Sequence, residues 1–140
     1  MLGAMLSLPA TAASPEAADA RVAIELPPMM RAHMLANMRD HLAALHEIQA
    51  ALARDENRRA AGIAEQRLGM SSLDAHGAGH MAPHMPQPMQ DIGTAMHRAA
   101  SRFARTAEEA DVRRDLRPAL LALSEVTQQC TACHAGYRLK

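Results

Sequence analysis

Apolar residues recur at intervals of three and four in four separate stretches of the chain, and each stretch predicts an amphipathic helix. Segment A, at about 28–53, carries Met30, Met34, Met38, Leu42, Leu45, Ile48 and Leu52 on one stripe, with Arg39, Asp40, Glu47 and Arg54 off it. Pro27-Pro28 stops any earlier helix and suits the first turn of this one. Segment B, at about 56–69, has a thinner stripe of Ala60, Ile63, Ala64 and Leu68; Asp55 or Asn57 is the expected cap and Gly69 the expected stop. Segment C, at about 89–109, repeats Met89, Ile92, Met96, Ala99, Phe103 and Ala107. Segment D, at about 112–138, continues with Val112, Leu116, Leu120, Leu123, Val126, Cys130, His134 and Tyr137. Asp111 or Asp115 is its expected cap, and Pro118 fits its first turn if the helix starts late. Between B and C, residues 70–88 hold Gly77, Gly79, Pro83, Pro86 and Pro88, which exclude a regular helix and predict a long loop. Four amphipathic helices joined mostly by short connections predict an all-α, antiparallel four-helix bundle over residues 28–140.

The first 27 residues fall outside that pattern. Residues 1–13 (MLGAMLSLPATAA) pair a short apolar stretch with an Ala10-Thr11-Ala12 cleavage-type site and read as a secretory signal peptide lacking its basic start. Residues 14–27 are rich in small residues and proline and read as a linker.

Composition narrows the function. Of the apolar residues 31 are Ala and 11 Met, whereas Val and Ile together number 7, so a β-rich fold is disfavoured. Lys+Arg and Asp+Glu are 15 each, a formal net charge of +0. That balance gives no basic footprint for nucleic acid and no polybasic membrane patch, and no apolar run is long enough to span a bilayer. One Phe, one Tyr and no Trp leave an all-helical core short of large rings. The expectation is that another group fills that volume.

Both cysteines of the chain stand in Cys130-Thr131-Ala132-Cys133-His134. A disulfide between them would close a very small loop and constrain little. A redox CxxC needs a βαβ setting that the pattern does not offer. A zinc site needs four ligands, and adjacent Cys133 and His134 rarely face one tetrahedral ion together. CxxCH is the attachment signature of c-type haem: two thiols on one helical turn reach the two vinyl groups, and the next residue supplies an axial imidazole. One covalent haem c, held by Cys130 and Cys133 with His134 on the iron, is therefore expected near the C-terminus. Such attachment takes place outside the bacterial cytoplasm, so the motif and the export signal agree on a periplasmic protein.

The string Cys130-Thr-Ala-Cys133-His134-Ala-Gly-Tyr137-Arg138 resembles the end of the class II cytochromes c, the family of the cytochromes c′ and the low-spin cytochromes c-556. The resemblance is specific at 130–138 and is supported by the order and spacing of segments over about 28–138. It implies a four-helix bundle with Tyr137 packed beside the haem and Arg138 near its proximal face. It implies that the first helix covers the distal face, where a Met makes the iron six-coordinate and low-spin and another apolar side chain leaves it open. Met34 is the candidate distal ligand; Leu35 is the candidate blocking side chain. Met30 and Met38 rank below Met34, and core filling is the competing role for all three. His33 and His41 read as solvated helix histidines. The family also suggests a homodimer through the first two helices.

Electron transfer with redox partner proteins is the leading expected function, since Met/His ligation saturates the iron. The alternative is a five-coordinate protein that binds NO or CO. A third reading comes from residues 76–89, where His76, His80, Met81, His84, Met85 and Met89, followed by His97, form a ligand mixture that suits copper; their spacing follows no fixed template. No residue set suggests enzymatic turnover, and the chain is expected not to be an enzyme.

Overall fold

The structure, a computed structural model, describes residues 19–140; the expected signal segment at 1–13 and the start of the expected linker lie outside the described residues. The described chain is mostly helical. A short strand, β1 (Val22–Ile24), leads into α1 (Pro28–Leu52) and α2 (Asn57–Arg67). A single helical turn, α3 (Ala78–Met81), follows, then α4 (Gln87–Arg113), α5 (Arg117–Gly136) and a final strand, β2 (Tyr137–Leu139). The four longer helices correspond to segments A to D. Helix α1 packs on α2, α2 on α4 and α4 on α5, whereas α1 and α5 meet only sparsely.

Local chemistry accounts for most element ends. Pro28 sits in the first turn of α1, where its missing N–H costs nothing. Arg114, in the left-handed region at φ 54°, ends α4. Asp115 accepts a hydrogen bond from the Arg117 N–H at 3.1 Å and the helix starts late, with Pro118 in its first turn. At α2 neither expected cap is used: Asp55 takes a left-handed turn (φ 57°), and Asn57 donates instead to Asp111 across to α4 at 3.0 Å. Gly69 lies just past the helix at an ordinary φ of −74°. It is needed for space, since a Cβ there would sit 2.7 Å from the Glu65 carbonyl oxygen.

The predicted linker is not wholly a linker. Residues 22–24 pair in parallel with 137–139, in the register Val22–Tyr137, Ala23–Arg138 and Ile24–Leu139. Segment D therefore stops at Gly136, and Tyr137 stands on a strand rather than on the helical stripe. The Lys140 N–H donates to the Ile24 carbonyl at 3.0 Å, Arg31 Nε donates to the Lys140 carbonyl at 2.6 Å, and Lys140 Nζ pairs with Glu25 at 2.9 Å. The start of α1 is thus clasped to the end of the chain.

The main core lies between α1, α2, α4 and α5 and is built from small residues. Ala44, Ala51, Ala60, Ala64, Ala100, Ala107 and Ala119 are fully buried around Ile48, Phe103 and Val126. Phe103 is the one large aromatic ring in this core of small residues.

Candidate functional site

Cys130, Cys133 and His134 lie on the last two turns of α5, but they do not share one degree of burial. Both thiols are free and half-buried, and Cys130 packs on the main core. His134 is exposed, so the expected core-facing stripe holds through Leu123, Val126 and Cys130 and fails at His134. Leu120 and Val112 are also exposed, and Val112 belongs to α4 rather than to α5. The His134 imidazole makes no hydrogen bond among the described residues, while its carbonyl accepts one from Arg21 at 3.4 Å. Burial pushes both thiols above the ordinary cysteine value, and Cys133 is raised further by Cys130 beside it. Thiols held protonated in this way are unlike the low-pKa cysteines of thiol oxidoreductases.

Tyr137 and Arg138 follow on β2. Tyr137 joins a second apolar cluster. Arg138 Nε is buried with no hydrogen-bond partner, although the Asp19 carboxylate lies 3.3 Å away, out of line for one. Asp19 itself is held at about 2, chiefly by the Arg21 guanidinium that it binds at 2.8 Å.

The second cluster is dominated by sulfur. Met34 and Met81 are buried in it with Ile24 and Leu26, and Met30, Met38, Met85 and Met89 pack around them beside Tyr137 and Leu139. Six methionines from α1, the 70–86 segment and the start of α4 thus meet the residues that follow the CxxCH motif. Met34, the candidate distal ligand, and Tyr137 share this one cluster.

Below it lies a set of side chains that sequence reasoning did not bring together. The buried face of α1 runs through Met34, Asn37, His41, Ala44 and Ile48, and Leu42 points outward. This corrects the predicted stripe and the reading of His41 as solvated; His33 is exposed as expected. The inward rotation is tolerated because polar partners wait inside. Asn37 Nδ2 donates to the His76 carbonyl at 3.1 Å, and His41 Nε2 lies 3.4 Å from His76 Nε2. His97, on α4, completes the group, with ring centroids 5.3 Å from His76 and 6.2 Å from His41. Its Nδ1 is 2.7 Å from the Leu68 carbonyl oxygen and therefore carries the proton. Burial is the main cause that lowers all three imidazoles from their ordinary value, His41 to about 4.

The 70–86 segment is thereby divided. Its buried residues Ser72, His76 and Met81 face inward, while His80 and His84 are exposed. The expected grouping of loop histidines is not formed, and no three His, Cys, Asp or Glu side chains among the described residues are placed to hold one metal ion. Two surface clefts lie toward the start of α5, away from Cys130. One, of about 490 Å³, is lined by residues such as Asp55, Arg58 and Asp111; the other, of about 280 Å³, lies between Leu52 and Leu120. No helix among the described residues is long and apolar enough to cross a membrane. No family model, curated protein or solved structure matches the chain.

Proposed function

We propose that the chain is a periplasmic electron-transfer protein that carries one covalent haem c at the end of α5. The donor set carries this reading: two free thiols one helical turn apart, an adjacent imidazole without a hydrogen-bond partner among the described residues, and a buried thioether that shares a cluster with the residue three past that imidazole. The sparse meeting of α1 and α5 leaves that side of the helical assembly least committed to protein–protein packing. The pairing of the helices also fits a four-helix bundle of the class II cytochrome c kind.

On this reading Cys130 and Cys133 would hold the haem through thioethers, and His134 and Met34 would supply the two side-chain ligands to its iron. The haem iron supplies one-electron oxidation and reduction. The chain excludes water through the methionine cluster, which lowers the local dielectric and favours the less charged, reduced state. Tyr137 would pack along one side, and Arg138 Nε, paired by charge with Asp19 but making no hydrogen bond, would keep a donor for an anionic group. With the Met34 thioether bound as well as His134, the group would serve electron transfer rather than uptake of an exogenous gas.

The test is the absorption spectrum of the haem-loaded protein, oxidised and reduced, before and after CO. Sharp low-spin bands, a weak far-red sulfur-to-iron band and no response to CO are expected. Broad high-spin bands that shift with CO would replace electron transfer by NO or CO binding. Failure to acquire a covalent haem in a strain competent for c-type maturation would remove the whole reading.

A further inference from the structure

We propose that His41 and His76 form a binding site for a soft monovalent metal ion, Cu(I), inside the protein and separate from the CxxCH motif. The proposal does not rest on the haem reading.

Its first support is distance. Two nitrogen ligands at roughly 2.0–2.1 Å from one metal, with an angle between tetrahedral and trigonal, stand about 3.3–3.6 Å apart. The His41 and His76 Nε2 atoms are 3.4 Å apart. A hydrogen bond at that length is long and weak, so the pair is poorly satisfied as a purely structural contact.

Its second support is the tautomer of His76. Ser72 Oγ donates its proton to the Gly69 carbonyl at 2.7 Å. It can therefore only accept from His76 Nδ1, 3.3 Å away. The proton of neutral His76 then sits on Nδ1, and Nε2 presents a lone pair to His41. A second-shell partner that fixes the far nitrogen in this way is what orients a metal-binding imidazole. Asn37 adds a hydrogen bond to the His76 main chain. His41 contributes its Nε2 lone pair when its own proton moves to Nδ1, so the metal replaces the shared proton with no net change of protein charge. His97 packs against both rings, its Nδ1 tied to the Leu68 carbonyl.

Charge and ligand number select the ion. The nearest carboxylate, Asp40, is bound by Arg67, which also takes Glu47. His33 is the remaining titratable group near His76. A divalent cation would be buried without a counter-charge, which is costly. A monocation held by three soft or neutral ligands fits better, and three ligands set the angle that the 3.4 Å separation matches. Met38, three positions before His41 and so on the same side of α1, is the side chain we assign as the third, soft ligand.

The test uses the full chain with its two cysteine thiols alkylated or in thioether linkage, labelled with ¹⁵N at histidine. It is titrated anaerobically with Cu(I), and in parallel with Ag(I), a redox-inert monocation. The His41 and His76 Nε2 resonances should shift together and saturate at one equivalent, with His80 and His84 unmoved. His76→Gln should weaken binding by about 100-fold or more, beyond what loss of a supporting group costs; His80→Gln should leave it unchanged. Uptake that leaves the His41 and His76 rings unmoved would put the metal on the methionines and overturn the proposal, as would no uptake at all. The ring signals of the unsubstituted chain decide this even if His76→Gln fails to fold.

Discussion

Asn37 and His76 join α1 to the segment between α2 and α4 through one buried hydrogen bond, Nδ2 to main-chain oxygen at 3.1 Å. Around that bond three imidazoles are packed with no free carboxylate to balance a proton, and this makes the fold sensitive to acid. His41 is lowered from 6.5 to about 4, chiefly by burial. The unfolded chain binds a proton below about 6.5 that the folded chain refuses until about 4, so stability is full above that window and falls as pH drops through it. His41 alone corresponds to a loss of about 3 kcal/mol across the window, and His76 and His97 act in the same direction. Urea unfolding of the metal-free protein between pH 7.5 and 4 should show the decline. His41→Leu should flatten it.

Gly69 tests a purely steric point. Its backbone is unstrained, but a Cβ would meet the Glu65 carbonyl oxygen at 2.7 Å and its carboxylate oxygen at 2.5 Å. Gly69→Ala should therefore destabilise by about 1–3 kcal/mol despite the better helix propensity of alanine. A denaturant midpoint unchanged or raised would show that α2 ends with more freedom than its geometry indicates.

Met34 is buried in the sulfur-rich cluster. Met34→Ala should cost about 2–5 kcal/mol of stability from the cavity alone. In the haem-loaded protein it should also abolish the far-red band and open the iron to CO. Met30→Ala, at a less buried position of the same cluster, should keep the band. Loss of the band in Met30→Ala with its retention in Met34→Ala would move the ligand by one turn.

Ile24 anchors β1 and is 4% exposed. Ile24→Ala should destabilise by about 2–4 kcal/mol and speed amide exchange at Tyr137 to Leu139, which β1 pairs with. A frayed and dispensable linker would give neither effect.

The helices were legible because their cause is periodic and local. Met34, Ile48, Met96, Phe103, Leu123 and Val126 stand at intervals that only a helix turns to one side, and Pro28, Asp115 and Pro118 mark where helices start. The CxxCH motif was legible for the same reason, since two thiols and an imidazole within five residues need no tertiary contact to be recognised. The orientation of α1 was not. Apolar spacing favours Leu42 on the buried face, but His76 and His97 arrive from 35 and 56 residues farther on, and they make it favourable to turn Asn37 and His41 inward instead. The two strands were equally hidden, for three residues of mixed polarity have no period to read until Val22 meets Tyr137.

By itself, then, the sequence determined the helical segments, their approximate ends and the reactive group at the end of the last one. Only the tertiary structure decided that six methionines and three histidines form contiguous interior clusters. Pairing between distant segments depends on which faces the packed helices turn toward one another, and that is a property of the whole chain rather than of any window along it.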